Sequence, residues 1–205
     1  MPPDDLVLAF DTSAAHVAAA LLSGGAVLAE HHEEMARGQA ERLFVLLKEM
    51  LDGAQVGWRD LSRIGVGIGP GNFTGIRISV AGARGLALSL GIPAIGVSTF
   101  EALSHSLRRP LVATVDARGA QLYVQAFTKT GICEPYVSDI DTIAADFSSN
   151  NQGFVGHQAQ ELAQLAGARA LAPKFPLAVA IAHIAAASDA ARAPRPAPLY
   201  LRPPN

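Results

Sequence analysis

Short apolar runs alternate with polar or glycine-containing breaks through the first half of the chain. Leu6 to Phe10 is one such run. It ends in Asp11-Thr12-Ser13, the pattern of a buried strand feeding a turn. Val17 to Leu22 and Ala26 to Glu30 follow, separated by Ser23-Gly24-Gly25. Glycine reaches positive φ freely, so this break reads as a hairpin turn. The opening is therefore predicted to be a three-stranded antiparallel meander. A helix is expected next, from about Gln39 to Leu51. Leu43, Leu46, Leu47, Met50 and Leu51 recur there at helical spacing, while Phe44 and Met35 lie outside the tightest stripe. Gly53 supplies a stop.

Arg63 to Ile68 reads as a strand, and the glycine-rich stretch Gly69-Pro70-Gly71-Asn72-Phe73-Thr74-Gly75 follows it. A second helix is expected from Thr74 to Leu90. Its small residues include Gly82 and Gly85, and each glycine costs a helix roughly 1 kcal/mol relative to alanine. Their presence implies that something packs close to this backbone. Ile92 to Val97 is a strand, and Ser98-Thr99-Phe100-Glu101 has the spacing of a capping box for a short helix ending near Arg108. Leu111 to Val115, the turn Asp116-Ala117-Arg118-Gly119 and the run Gln121 to Thr128 form a second hairpin, so the opening of the chain appears twice. After Gly131 the pattern thins. Helices are expected at Asp141–Phe147, Ala159–Leu165 and Phe175–Arg192, with a short strand at Phe154-Val155. A Pro-Ala linker, the extended piece Leu199-Tyr200-Leu201-Arg202 and a disordered tail close the chain.

Composition narrows the class. The chain has 205 residues, half of them apolar, and aromatics make up 6%. The core must rest on aliphatic side chains and close backbone approach. The net charge is −2. Strong solo binding of nucleic acid is not expected, because phosphate contacts call for a basic excess. Cys133 is the single cysteine, which excludes an internal disulfide and a cysteine-based zinc site. The start has no basic segment followed by a long apolar one, and no run is long enough to span a membrane. The expectation is a cytoplasmic, soluble protein.

The glycine-rich turn is the strongest local signal. It follows a strand and opens a helix, where backbone N–H groups can cradle an anion. It is neither a Walker A loop, lacking the Lys-Ser/Thr pair, nor G-x-G-x-x-G, since Asn72 stands where the last glycine belongs. Asp11 and Asp116, each at a strand end, are candidates to hold a hydrated magnesium beside a nucleotide; the competing reading is turn capping through Asx hydrogen bonds. His31-His32-Glu33-Glu34 lacks the second histidine of H-E-x-x-H, and G-x-S-x-G is absent. Neither common route to hydrolysis has its residues.

Five pieces, in order, resemble the TsaB family, also called YeaZ. They are Phe10-Asp11-Thr12-Ser13, the block from Gly67 to Arg77, Ile95-Gly96-Val97-Ser98-Thr99, Val115-Asp116-Ala117-Arg118 and Leu199-Tyr200-Leu201-Arg202. The central block is the specific one. The resemblance implies an α/β, actin-like and sugar-kinase-like (ASKHA) two-lobed fold of duplicated βββαβα units, the second lobe reduced. The lobes are expected at residues 1–108 and 109–192, with a Pro-rich tail, 193–205, returning over the body.

In function the resemblance implies a non-catalytic subunit of the tRNA N6-threonylcarbamoyladenosine (t6A) machinery. Its partners would be the catalytic paralogue TsaD and the ATPase TsaE, with a homodimer in isolation and tRNA reached only through the complex. No catalytic residue, no metal and no tightly bound cofactor is expected; weak ATP or ADP with magnesium is left open. The residues of that vestigial phosphate site would be Asp11, Thr12, Gly69, Gly71, Asn72, Phe73, Thr74, Gly75, Arg77, Asp116 and Arg118. Phe73 is expected to plug the core beneath the turn, and Arg77 to pair with a carboxylate or carbonyl. The partner interface is assigned to Leu43, Leu47 and Met50 on the first helix and Ile76, Val80, Ala83 and Ala87 on the second. Ala83→Arg or Gly82→Trp is expected to break that interface without unfolding the lobe. Two positions depart from the family pattern: Ser79 stands for a glycine, and Gln39-Ala40-Glu41-Arg42 replaces a histidine-containing helix start. The alternatives are an active nucleotide-dependent enzyme of the actin-like class, a metallopeptidase and a solitary homodimeric scaffold.

Overall fold

The computed structural model describes residues 5–148 and 152–202, which form two compact units. The first holds residues up to 102 together with 176–200, and the second holds 103–175 together with 201 and 202.

In the first unit β1 (Leu6–Asp11), β2 (His16–Ser23) and β3 (Ala26–Glu34) form the meander. α1 (Gln39–Gly53) leads to β4 (Arg63–Gly67), α2 (Phe73–Leu90), β5 (Ala94–Val97) and α3 (Thr99–Ser104). The sheet order is β3-β2-β1-β4-β5, antiparallel through the meander and parallel from β1 to β5. α3 starts at the expected capping box: Ser98 N and Oγ both donate to Glu101 Oε2 at 2.8 Å, and Glu101 N donates to Ser98 Oγ at 3.1 Å.

β1 is apolar from Leu6 to Phe10 because both of its faces are covered. Leu8 and Phe10 pack into a cluster with Leu43, Leu46, Leu47 and Leu51 of α1 and Ala83 of α2. On the opposite face, a Cβ placed on Gly65 would meet Ala9, Ala185 and Ile181, the last two from α6 (Leu177–Ala187). Small strand residues and an alanine-rich helix thus let α6 lie close to the sheet. This corrects the boundary expected at 192. α6 is apolar nearly all round and is buried against the sheet of the first unit, and it ends at Ala187 rather than Arg192.

The second unit repeats the plan with β6 (Leu111–Asp116), β7 (Gln121–Phe127), β8 (Tyr136–Asp139), α4 (Ile140–Asp146), β9 (Gly153–Gly156), α5 (Ala159–Ala166) and β10 (Arg169–Leu171). Its sheet runs β8-β7-β6-β9-β10, so the first, second, third, fourth and fifth strands of each unit occupy equivalent places. The βββαβα duplication and a reduced second unit are present. Val112, Leu122, Val124 and Phe154 of the sheet pack with Ile143 of α4 and Leu162 of α5. The tail after residue 202 lies outside the described residues.

Candidate functional site

The glycine turn is built against the end of β1. Asp11 is 1% exposed, and its Oδ1 accepts Ser13 N at 2.9 Å and Ser13 Oγ at 2.8 Å, and lies 2.8 Å from His16 Nε2. Its Oδ2 is buried with no hydrogen-bond partner and lies where a Cβ on Gly67 would be. Thr12 Oγ1 donates to Gly75 O at 2.7 Å, and a Cβ on Gly75 would overlap the Thr12 carbonyl oxygen. Gly75 is thus the point of close approach, with the Thr12 backbone as the neighbour.

Two of the turn's amides are satisfied from within the unit. Asn72 N donates to Ser13 O at 2.6 Å, and Gly75 N donates to the N-cap oxygen Asn72 Oδ1 at 3.0 Å. Gly69 O accepts Thr99 N at 2.7 Å, while Gly71 lies against Ser13 O and Thr74 is exposed. Asp11 Oδ1 caps the turn, the competing reading of the sequence, while Oδ2 is buried against Gly67 without a hydrogen-bond partner.

Phe73 and Arg77 differ from expectation. Phe73 is half-buried, and the Arg77 guanidinium lies over its ring at 3.8 Å from the centroid. Arg77 Nε donates to the Tyr200 hydroxyl at 2.9 Å, and the Phe73 and Tyr200 rings stand 4.9 Å apart. Arg77 therefore pairs with a hydroxyl and a ring rather than a carboxylate or carbonyl. Its planar cation is well held by aromatic faces. The extended piece is anchored further by Leu199 N donating to Ile68 O at 2.8 Å.

In the second unit Asp116 is exposed, and its Oδ1 accepts Arg118 N at 2.8 Å. Arg118 (φ 62°) and Ala120 (φ 60°) both adopt left-handed backbone, a strained choice for non-glycine residues. Arg202 braces this turn by donating to Ala117 O at 3.3 Å and to Gln121 Oε1.

The interface assignment needs correcting. Leu43, Leu47 and Ala83 have no exposed surface, and Ile76, Val80 and Met50 are 1%, 3% and 8% exposed. Ala87 is half-buried. The aliphatic stripe of α1 faces the sheet, as an amphipathic helix must, so these side chains are core. The outward face carries different residues. Phe44 and Val45 on α1 are 43% and 50% exposed, and Leu88 on α2 is 78% exposed. Gly82 lies 3.3 Å from Phe44 Cζ by its Cβ position, whereas Gly85 opens on empty space. Sequence reasoning missed these three side chains, although Phe44 falling outside the stripe was the available signal. On the same helix Arg42 joins Glu33 of β3 at 2.8 Å and Glu49 at 2.9 Å, and these hydrogen bonds hold its pKa above the usual value.

A family model described as TsaD, tRNA N6-adenosine threonylcarbamoyltransferase, matches residues 27–192. The TsaB protein of Bacillus subtilis is 35% identical over 69% of this chain and 63% of its own length. That of Escherichia coli is 34% identical over 57% of this chain and 52% of its own length. The chain thus spans less than two thirds of the curated relatives it matches. YeaZ from Pseudomonas aeruginosa superimposes with a TM-score of 0.72 at 25% identity, over 96% of this chain and 100% of that one.

The chain belongs to the TsaB/YeaZ family.

The ethanolamine utilization protein EutJ of Carboxydothermus hydrogenoformans shares the fold at 14% identity and a TM-score of 0.54. The actin-like class expected for a TsaB/YeaZ protein is the one observed. Both departures from the TsaB/YeaZ pattern have local explanations. Ser79 is fully buried, and its hydroxyl donates to Gly67 O and to Ile76 O at 3.1 Å each. Gln39 at the helix start donates from Nε2 to Ala14 O at 2.8 Å, tying α1 to the loop after β1. Among the described residues no three His, Cys, Asp or Glu side chains gather as a metal site requires, and no helix is long and apolar enough to cross a membrane.

Proposed function

We propose that this protein is a non-catalytic subunit of the t6A-forming machinery, acting by pairing with the catalytic paralogue TsaD through the outward face of α1 and α2. The observation that carries this reading is the exposure of Phe44 and Val45 on α1 and of Leu88 on α2, on a chain belonging to the TsaB/YeaZ family. α1 and α2 meet where Phe44 approaches Gly82, and large apolar side chains left exposed on two such helices mark a surface meant to be covered. A stable pairing would bury about 1,200–2,000 Å² in total.

The chemistry is left to the partner. Asp11 is 1% exposed, with Oδ1 taken up by Ser13 and His16 and Oδ2 packed against Gly67, so a magnesium nucleotide would have to be held without it. Any ATP or ADP bound here is weak. The same face serves a homodimer in the absence of the partner, so the two assemblies compete. TsaE joins the heterodimer, and tRNA is met only through the complex, consistent with a net charge of −2.

The test is Leu88→Arg and Phe44→Glu, each on a solvent-facing position. Both variants should remain folded, lose co-purification with the catalytic subunit from the same organism and fail to support t6A formation in a reconstituted reaction. Native affinity in both variants would overturn the reading, as would t6A formation by this chain with no partner added.

A further inference from the structure

A cleft of about 310 Å³ lies at the C-terminal half of α2, between that helix, the residues entering β5 and the segment after α6. Its walls are aliphatic: Ala87, Leu88, Ile92, Pro93, Ala190 and Pro196. Two cations, Arg84 and Arg195, line it as well. Both are exposed, and among the described residues neither has a carboxylate within ion-pair distance. Nearby Arg192, by contrast, already faces Asp189 at 3.5 Å. A chain that carries more acid than base thus keeps two guanidinium groups unneutralised beside one apolar cleft.

The cleft shares Leu88 with the docking face. Arg84 and Leu88 are four residues apart on α2 and so lie on one side of the helix. Leu88 both lines the cleft and projects into solvent, and Gly85 between them leaves open space.

We propose that this cleft is the carboxylate-recognition end of that face: a protein partner covering Phe44, Val45 and Leu88 also delivers an acidic side chain between Arg84 and Arg195. The inference rests on the docking face argued above and adds its polar determinant. Guanidinium groups present paired donors that match a carboxylate, and a partner seated on the aliphatic walls would exclude water and strengthen the contact. A protein carboxylate suits the site better than RNA. A phosphate backbone is tracked by many cations and its bases are stacked on aromatic rings, whereas this cleft has two cations and no ring.

The experiment titrates the full chain against the catalytic subunit from the same organism, by calorimetry at low and at high salt. The variants are Arg84→Gln/Arg195→Gln, Arg84→Glu/Arg195→Glu and Leu88→Asp, and each is first checked for an unchanged urea midpoint. The Glu pair should weaken binding at least tenfold at low salt. The Gln pair should bind with a flatter salt dependence than the parent, because the screened ion pairs are gone. If Leu88→Asp abolishes binding while both arginine pairs bind like the parent, the cleft assignment is wrong and the docking face stands. If no variant changes affinity, the docking face is wrong and the cleft falls with it. Loss of tRNA retention by the arginine variants at parental protein affinity would also overturn the proposal, in favour of RNA.

Discussion

The carboxylate of Asp11 and the backbone of Gly67 meet with no room for a side chain between them. Asp11 Oδ2 lies where a Cβ on Gly67 would start, and Asp11 is 1% exposed. Gly67 ends β4 beside the last residues of β1, so the glycine is required by a neighbour rather than by its own φ. Gly67→Ala should therefore cost about 1–3 kcal/mol, the usual range for an overpacked core. Urea denaturation should show a lower midpoint with an unchanged m-value. In the Asp11→Ala background the same substitution should cost clearly less, because the two positions are in contact. Equal costs in both backgrounds would mean that the clash is relieved elsewhere.

Arg63 holds the end of α6 onto the first sheet. Its Nη1 donates to Ala185 O at 3.0 Å and to Ala186 O and Ser188 O at 3.1 Å each. Its Nη2 meets Asp5 at 3.1 Å. The last carbonyls of a helix have no partner within it, and a cation there satisfies them and favours the helix dipole. Arg63→Met should destabilise by roughly 1.5–3 kcal/mol, the scale of hydrogen bonds to a charged group. Limited proteolysis should cleave the chain near residues 188–193 earlier than in the parent. An unaltered digestion pattern would show that burial alone holds α6.

In the second unit Asp139 is the N-cap of α4. Its carboxylate accepts Thr142 N and Thr142 Oγ1, both at 2.9 Å. The backbone hydrogen bond from Thr142, then the hydroxyl bond, lower its pKa below the ordinary 3.8. A depressed folded pKa means that the native state prefers the charged form. The stabilisation is fully present above the ordinary value and disappears as pH falls through the folded value. Asp139→Asn keeps an acceptor at the cap but does not titrate. Its urea midpoint should consequently fall less steeply than that of the parent below about pH 4. Parallel acid limbs would remove Asp139 from the pH response.

The sequence pattern read well where the strands are deeply buried. β1, β2, β4 and β6 carry long buried runs, β7 alternates, and the capping box at Ser98 and Glu101 is visible in four letters. β8 and β10 were not predicted. Tyr136–Asp139 is half-exposed, and Arg169–Leu171 is three residues long and mostly exposed. Such edge strands are fixed by backbone pairing to β7 and β9, which leaves little trace in hydropathy. α6 was placed in the wrong unit for a related reason. An alanine-rich helix announces that it will be buried, but not against which sheet.

The candidate surface was misread because helical periodicity finds the buried side of a helix. The stripe Leu43, Leu47, Met50 is the core face of α1, and Ala83 holds the matching place on α2. This difference makes two substitutions diverge. Ala83→Arg drives a long cation into a fully buried position among Leu43, Leu46 and Phe10, where neither water nor an acid can meet it. It should unfold the first unit, seen as loss of near-ultraviolet dichroism and of soluble yield. Leu88→Arg lies at a position 78% exposed, and surface substitutions of this kind usually stay within about 0.5 kcal/mol of the parent. It should keep the parental urea midpoint and lose only the partner. A folded Ala83→Arg protein that has lost the partner would restore the buried stripe as the contact surface and refute the outward-face assignment.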